Sequence, residues 1–207
     1  MDPTLHVARF DAWAPAYEAS ALQEAFYTRL HRKVLGLASA AGPVPGRIVD
    51  IGCGTGRLLR AASAVYPDAG LVGVDISAGM LAQARAMAAP GERTAFVRAD
   101  SAALPFGDAG FDLAMCTASS HHWPEPAAAL AELRRVLASD GLLVLAHLQG
   151  VALWDPPGAG HVRRRGVRIS SGLAVPLFDS GFRVCDAALF AECPLMPATV
   201  VLCARRR

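Results

Sequence analysis

One stretch, Asp50-Ile51-Gly52-Cys53-Gly54-Thr55-Gly56, constrains this chain more than any other. Ahead of the glycines runs an apolar β-branched segment, Ile48, Val49 and Ile51, carrying a single acid, Asp50. Behind them apolar residues return at helical spacing, at Leu58, Leu59, Ala62 and Val65. The pattern predicts a buried strand, a tight turn and a helix start. Glycines at alternate positions open backbone dihedrals closed to other residues and let a ligand lie against the main chain, while the helix start offers unpaired N–H donors. A nucleotide-like ligand is therefore expected at this turn. A dinucleotide fold requires Gly-x-Gly-x-x-Gly, whose last glycine permits close helix–strand packing beside a pyrophosphate. Counted from Gly52, that place is held by Arg57, which disfavours the dinucleotide reading.

The acid followed by three alternating glycines resembles motif I of the class I S-adenosylmethionine-dependent methyltransferases. The resemblance implies an α/β fold, a doubly wound Rossmann-like sheet of seven mostly parallel strands in the order 3-2-1-4-5-7-6 with the last strand antiparallel. It also implies that Gly52, Cys53, Gly54 and Gly56, with Asp50, cradle S-adenosylmethionine, the product being S-adenosylhomocysteine. Leu71-Val72-Gly73-Val74-Asp75 reads as a second strand ending in an acid. Asp75 follows Asp50 at about the spacing where a carboxylate meets a ribose diol, and it can accept from both hydroxyls. The competing role, a cap on the following helix, suits Ser77 better. Ile76 would then face the adenine. Met80, Leu81, Ala84 and Met87 form the inward stripe of that helix, with Met80 also counted among the cofactor contacts.

Thr94 to Arg98 reads as a third strand, and Asp100-Ser101-Ala102-x-Leu104-Pro105-Phe106 is similar to the family's Asp-x-x-x-Leu-Pro-Phe segment. There the acid takes a hydrogen bond from the adenine amino group, the amides after it address the ring nitrogen, and apolar side chains sandwich the base; Asp100, Ser101 and Ala102 inherit that expectation. The competing role of Asp100 is to form a turn, but its conjunction with Leu104-Pro105-Phe106 favours the site. Phe111 to Cys116 is the fourth strand, running into Thr117-Ala118-Ser119-Ser120-His121-His122-Trp123-Pro124-Glu125-Pro126. Ligands sit outside strand carboxyl ends in an open parallel sheet, so this loop, from Thr117 on, should border the methyl donor. It looks like the type-11 subgroup's histidine pair ahead of a helix start. Glu132 to Leu142 follows the family's Glu-x-x-Arg-Val-Leu pattern and departs from it at Ala138 to Asp140. Leu142 to Ala146 is the fifth strand, with His147 at its end.

Leu5 to Ala41 reads mainly as helix, with Pro15 in its first turn and Leu22, Phe26, Leu30 and Val34 on one stripe. Phe10-Asp11-x-Trp13-Ala14-x-x-Tyr17 is similar to the opening of many small-molecule methyltransferases, with Glu18 in place of the usual aspartate. Residues 1–46 are therefore expected to form a helical arm or lid, and residues 47–207 the cofactor-binding domain. The aromatic residues of the arm either pack it on the domain or line the site. Residues 149–169, with three consecutive arginines from Arg163, read as a loop or substrate-facing insertion. Ser170 to Ser180 is a serine-capped helix ending at Gly181, and Phe182 to Ala191 pairs with Thr199 to Ala204.

Two motifs are decoys. Asp155-Pro156-Pro157 resembles a base-holding motif of amino-methylating nucleic-acid enzymes but follows the wrong strand and ends in Gly158. Cys193-Pro194 reverses the order expected of a cytosine-attacking nucleophile. Metal is not supported, since no histidine pair has ligand spacing with a third partner. A net charge of +2 from 20 basic and 18 acidic residues gives no argument for nucleic acid. No apolar run is long enough to span a membrane, and Asp2, Pro3 and His6 do not suit a signal peptide. Five scattered cysteines without a Cys-x-x-Cys pair point to a reducing, cytoplasmic setting.

The expected function is methyl transfer to a small-molecule acceptor by a monomer or homodimer. His121 or His122 is the candidate base, and Trp13, Tyr17, Trp123 and His147 are candidate acceptor contacts suited to an apolar or aromatic compound. The alternative is a cofactor-binding partner or sensor without transfer activity on the same fold.

Overall fold

Ile48, Val49 and Ile51 are sealed from solvent, as a strand covered on both faces requires. They lie in β1 (Arg47–Ile51), the middle of a seven-stranded sheet. The computed structural model describes residues 3–89, 93–149, 161–164, 167–193 and 196–206. In chain order the elements are α1 (Pro3–Tyr17), a π-helical turn (Gln23–Tyr27), α2 (Thr28–Ala41), β1, α3 (Arg57–Val65), β2 (Gly70–Asp75), α4 (Ala78–Met87), β3 (Thr94–Arg98) and β4 (Phe111–Thr117). A 3₁₀ turn (Ser120–His122) leads to α5 (Pro126–Val136) and β5 (Leu137–Leu148), followed by β6 (His161–Arg164), β7 (Val167–Ser170), α6 (Ser171–Asp179), β8 (Phe182–Phe190) and β9 (Thr199–Arg206).

The sheet order is β3-β2-β1-β4-β5-β9-β8, with β6 and β7 paired as a separate ribbon. Without that ribbon it is the 3-2-1-4-5-7-6 order expected. β1 pairs in parallel with both β2 and β4, and β9 runs antiparallel to β5 and β8. The reversal of strand order therefore falls between β1 and β4, where such sheets open a crevice at their carboxyl ends. Core residues divide between the two faces. Leu30 and Val34 of α2 and Leu58 and Leu59 of α3 fill one side, and Leu130 and Leu133 of α5 with Leu173 and Leu177 of α6 fill the other.

Several expectations need correction. The arm is two helices, broken at 18–22 and resumed through the π-helical turn, because Gln23 turns inward and donates to the Tyr17 carbonyl at 3.1 Å instead of continuing the coil. Pro15 lies near the end of α1, not in its first turn; the helix starts as early as Pro3 and stops two residues after Pro15, so the missing N–H removes a bond only from the last turn. Val65 and Met87 fall at the outer ends of their stripes and are exposed. β5 begins at Leu137, where it pairs with Phe111 before a register shift, and not at Leu142. Part of 149–169 is the β6–β7 ribbon, whose alternating Val162 and Ile169 are a register pair. The decoy at Asp155 to Pro157, the third arginine, Arg165, and Pro194 lie outside the described residues.

Candidate active site

The turn after β1 is held by backbone bonds to β2: the N–H groups of Gly52 and Cys53 both donate to the Val74 carbonyl, at 2.8 and 3.0 Å. Gly52 has φ +72°, and a Cβ there would sit 1.9 Å from the Ser119 hydroxyl oxygen. Gly56, at φ +76°, lies against the Phe96 ring. The first glycine thus lets the β4 loop approach, and the third lets α3 settle on β3.

A cavity of about 430 Å³ opens above this turn. Asp50, Gly52, Cys53, Gly54, Asp75, Ile76, Met80, Asp100, Ser101 and Thr117 all line it. Asp75 Oδ2 accepts from the Gly54 N–H at 2.8 Å and Oδ1 from the Ser77 N–H at 2.9 Å, which fixes the carboxylate while each oxygen keeps a second lone pair. Ser77 caps α4 by accepting from the Met80 N–H. Asp100 forms the turn anticipated for it, accepting from the Ala102 N–H at 2.9 Å, and also faces the cavity. Ala102 and Gly56 serve through backbone geometry and are not cavity residues.

Asp50 is the chemically unusual member. It is 2% exposed, and its Oδ1 is buried with no hydrogen-bond partner among the described residues. Burial, with the Asp75 charge adding to it, pushes its carboxyl up to about 8. The Thr117 hydroxyl, also on the cavity wall, is likewise buried and unpartnered. A buried carboxylate of this kind calls for a cation.

The β4 loop brings His121, His122 and Trp123 to the cavity. The two imidazoles lie 3.8 Å apart between ring centroids, and His122 meets Phe10 of α1 edge-on at 5.3 Å. His147 does not line the cavity; it is buried beneath the loop, with its Nδ1 3.0 Å from the Ser120 hydroxyl, so it props the 3₁₀ turn that carries the histidine pair. Leu104 and Phe106 also stay out of the cavity. Glu132 accepts the Leu104 N–H, and Arg135 donates to the carbonyls of Leu104 and Phe106, so the Glu-x-x-Arg pattern clamps that loop.

The arm contributes more than sequence reasoning assigned to it. Trp13 and Tyr17 line the cavity, ring to ring at 4.8 Å, and so do Gln23, Tyr27 and His31, which were not anticipated. Asp11 accepts from the Ser77 hydroxyl at 2.5 Å and the Gly79 N–H at 2.8 Å, which holds its carboxyl below the usual range. Glu18 accepts from the Thr55 hydroxyl, from Arg57 at 2.9 Å and from Arg60 at 3.0 Å. Its extra methylene relative to aspartate was the available signal, since it lengthens the reach toward the glycine turn. His31 had a fainter signal, a histidine four residues after Tyr27.

This architecture matches known proteins. Residues 49–145 fit the family model described as a methyltransferase domain. Over that segment, just under half of the chain, the sequence is similar to the class I methyltransferases. Malonyl-[acyl-carrier protein] O-methyltransferase of Geobacter sulfurreducens is 37% identical over 137 residues, covering 66% of this chain and 50% of that protein. Demethylmenaquinone methyltransferase of Thermus thermophilus is 36% identical over 137 residues, 66% of this chain and 62% of that protein. The matches thus span about half to three-fifths of these curated relatives. A crystal structure of an S-adenosylmethionine-dependent methyltransferase from Mesorhizobium loti shares the fold at a TM-score of 0.65 and 24% identity, covering 83% of this chain and 96% of that one. The family's cofactor is S-adenosylmethionine. The donor set fits it: carboxylates spaced along the cavity, a glycine cradle, and an unpartnered buried acceptor facing a ligand that carries positive charge. Among the described residues no helix is long and apolar enough to cross a membrane.

Proposed function

We propose that this chain transfers a methyl group from S-adenosylmethionine to a small-molecule acceptor. The observation that carries the reading is Asp50, a buried carboxylate oxygen without a partner at the glycine turn, in a cavity that continues past the β4 loop to the arm. Asp75 takes the ribose hydroxyls, Asp100 with the Ser101 amide addresses the adenine, Ala102 holds Asp100 in place through its own N–H, Ile76 and Met80 flank the base, and Asp50 balances the cationic end. The sulfonium supplies an electrophilic methyl, so the protein's part is alignment of the acceptor and exclusion of water. Residues 1–46 act as the lid that excludes it: Asp11 seats α1 on the start of α4, and Glu18 ties the end of α1 to the glycine turn and α3. His121 or His122 removes the acceptor's proton where one must leave, and Trp13, Tyr17 and Trp123 hold the acceptor.

The relatives' substrates, malonyl-[acyl-carrier protein] and demethylmenaquinone, bracket the acceptors to try first. Calorimetry with S-adenosylhomocysteine tests the binding half, and its release from S-adenosylmethionine over an acceptor panel tests the transfer half. Absence of binding heat on folded protein overturns the reading; binding without release over the whole panel favours the sensor alternative.

A further inference from the structure

The cavity wall is chemically uneven. Its acids are Asp50, Asp75 and Asp100. Another part of it is made by Tyr17, Gln23, Tyr27 and His31 with Leu148 and Met196. Tyr17 shares hydrogen bonds with both Tyr27 and Gln23, and the His31 ring lies 6.1 Å from that of Tyr27. Two of these side chains, Tyr17 and His31, are held in their uncharged form. Burial keeps the Tyr17 phenol protonated far into the alkaline range. Burial, with Arg57 and Arg60 nearby, drives the His31 imidazole down to about 3.

Positive charge to meet an anion is scarce. Among the described residues the arginines lining the cavity are Arg9 and Arg57. Arg57 is committed to Glu18 at 2.9 Å and Glu24 at 2.7 Å, and Arg9 is an exposed residue whose guanidinium lies over the Phe10 ring. A carboxylate drawn here would lose its water, share the cavity with the acids Asp75 and Asp100, and find, among the described residues of its wall, one arginine committed to two acids and the other exposed. An uncharged hydroxyl on a flat ring would keep hydrogen bonds to amide, phenol and imidazole, and the ring would lie among aromatic side chains.

We infer that the acceptor of this site is an uncharged hydroxylated aromatic compound, read by Gln23, Tyr27 and His31, and not a carboxylic acid. The inference rests on the proposed methyl transfer and narrows its acceptor class. A phenolic hydroxyl as acceptor balances simply: oxygen bonds to the methyl carbon, the carbon–sulfur bond breaks to leave the neutral thioether, and the phenol's proton passes to an imidazole of the histidine pair and then to solvent.

The test uses the full chain saturated with S-adenosylhomocysteine, with tryptophan fluorescence or calorimetry reading the binding of naphthol and of its isosteric carboxylate, naphthoate. Naphthol is expected to bind at least ~tenfold more tightly, because burying an unpaired carboxylate costs more than one such factor. His31→Phe and, separately, Gln23→Leu are expected to reduce naphthol affinity ~threefold to tenfold while leaving S-adenosylhomocysteine affinity within about twofold. Equal or tighter binding of naphthoate, no measurable binding of naphthol, or no effect of either variant would overturn the inference. The naphthol-to-naphthoate ratio needs no variant, so a misfolded His31→Phe does not spare it. Failure to bind S-adenosylhomocysteine at all would instead sink the proposed function beneath it.

Discussion

Asp50→Asn offers the sharpest test of the site's electrostatics in the ligand-free protein. The carboxyl ordinarily titrates at 3.8, and in the folded chain burial and Asp75 push it up to about 8. Between those values the unfolded chain has released the proton and the folded chain still holds it, so stability falls as pH rises and levels off above about 8. His31 works in the opposite sense: it ordinarily titrates at 6.5 and is depressed to about 3, so stability rises with pH over that interval and His31 adds no slope above it. The window from about pH 6.5 to about pH 8 therefore isolates Asp50. At about 1.4 kcal/mol for each pH unit, wild type should lose roughly 2 kcal/mol across it that Asp50→Asn does not lose. For a chain of this size that is a difference of about 4–8 °C in the change of Tm. Asp75, raised in the same direction, contributes to both proteins and cancels in the comparison. The assay is thermal denaturation by circular dichroism from about pH 6.5 to about pH 8.5, without ligand, the range being set by the linkage argument. Parallel slopes for the two proteins would refute the claim that this carboxyl is protonated when the cavity is empty. With S-adenosylhomocysteine present the order should invert, the wild type gaining the larger Tm increase.

Other outcomes follow from the same geometry. Asp75→Asn should weaken S-adenosylhomocysteine at least ~tenfold by calorimetry, since one charged acceptor of two hydroxyls becomes a neutral single acceptor. Gly79→Ala puts a Cβ 2.9 Å from the Asp11 carbonyl oxygen and 3.0 Å from its Cα, so α1 must lift. Faster hydrogen exchange over 7–20 and a cofactor KM raised ~threefold or more are expected, with Tm lowered by only about 1–3 °C because the lift is local. Replacing His121 or His122 by Ala should lower turnover more than cofactor affinity, read as kcat against the S-adenosylhomocysteine Kd; unchanged turnover in both single variants would remove the base assignment.

The parts of this fold legible in the sequence are those fixed by short-range patterns. The glycine turn, Asp75 two residues before its Ser77 cap, and the strand Thr94–Arg98 all declare themselves through residues within a few positions of one another. Strand order became legible only through resemblance, because periodicity does not say which strands pair. The arm was half legible. Its aromatic spacing pointed at the cavity, but Gln23, Tyr27 and His31 form a second stripe at four-residue spacing whose polar side chains do not mark a cavity wall beside the apolar stripe of Phe26, Leu30 and Val34. His147 misled for a related reason. It stands at the carboxyl end of β5 as a site residue would, yet Ser120 from the neighbouring loop occupies its ring. The β6–β7 ribbon is read from four residues on each side, too short for alternation to separate it from a loop.

In the proposed lid, whatever is enclosed beneath α1 leaves by unfastening two carboxylates. Asp11 grips the head of one helix and Glu18 the head of another, so the pair works like a clasp with teeth on both sides of the entrance. Dissolved ions compete for both grips but leave the neutral bonds of the glycine bend untouched. Ionic strength thereby becomes a throttle on exchange: it quickens the escape of spent cofactor and shortens the dwell of the fresh one in the same measure.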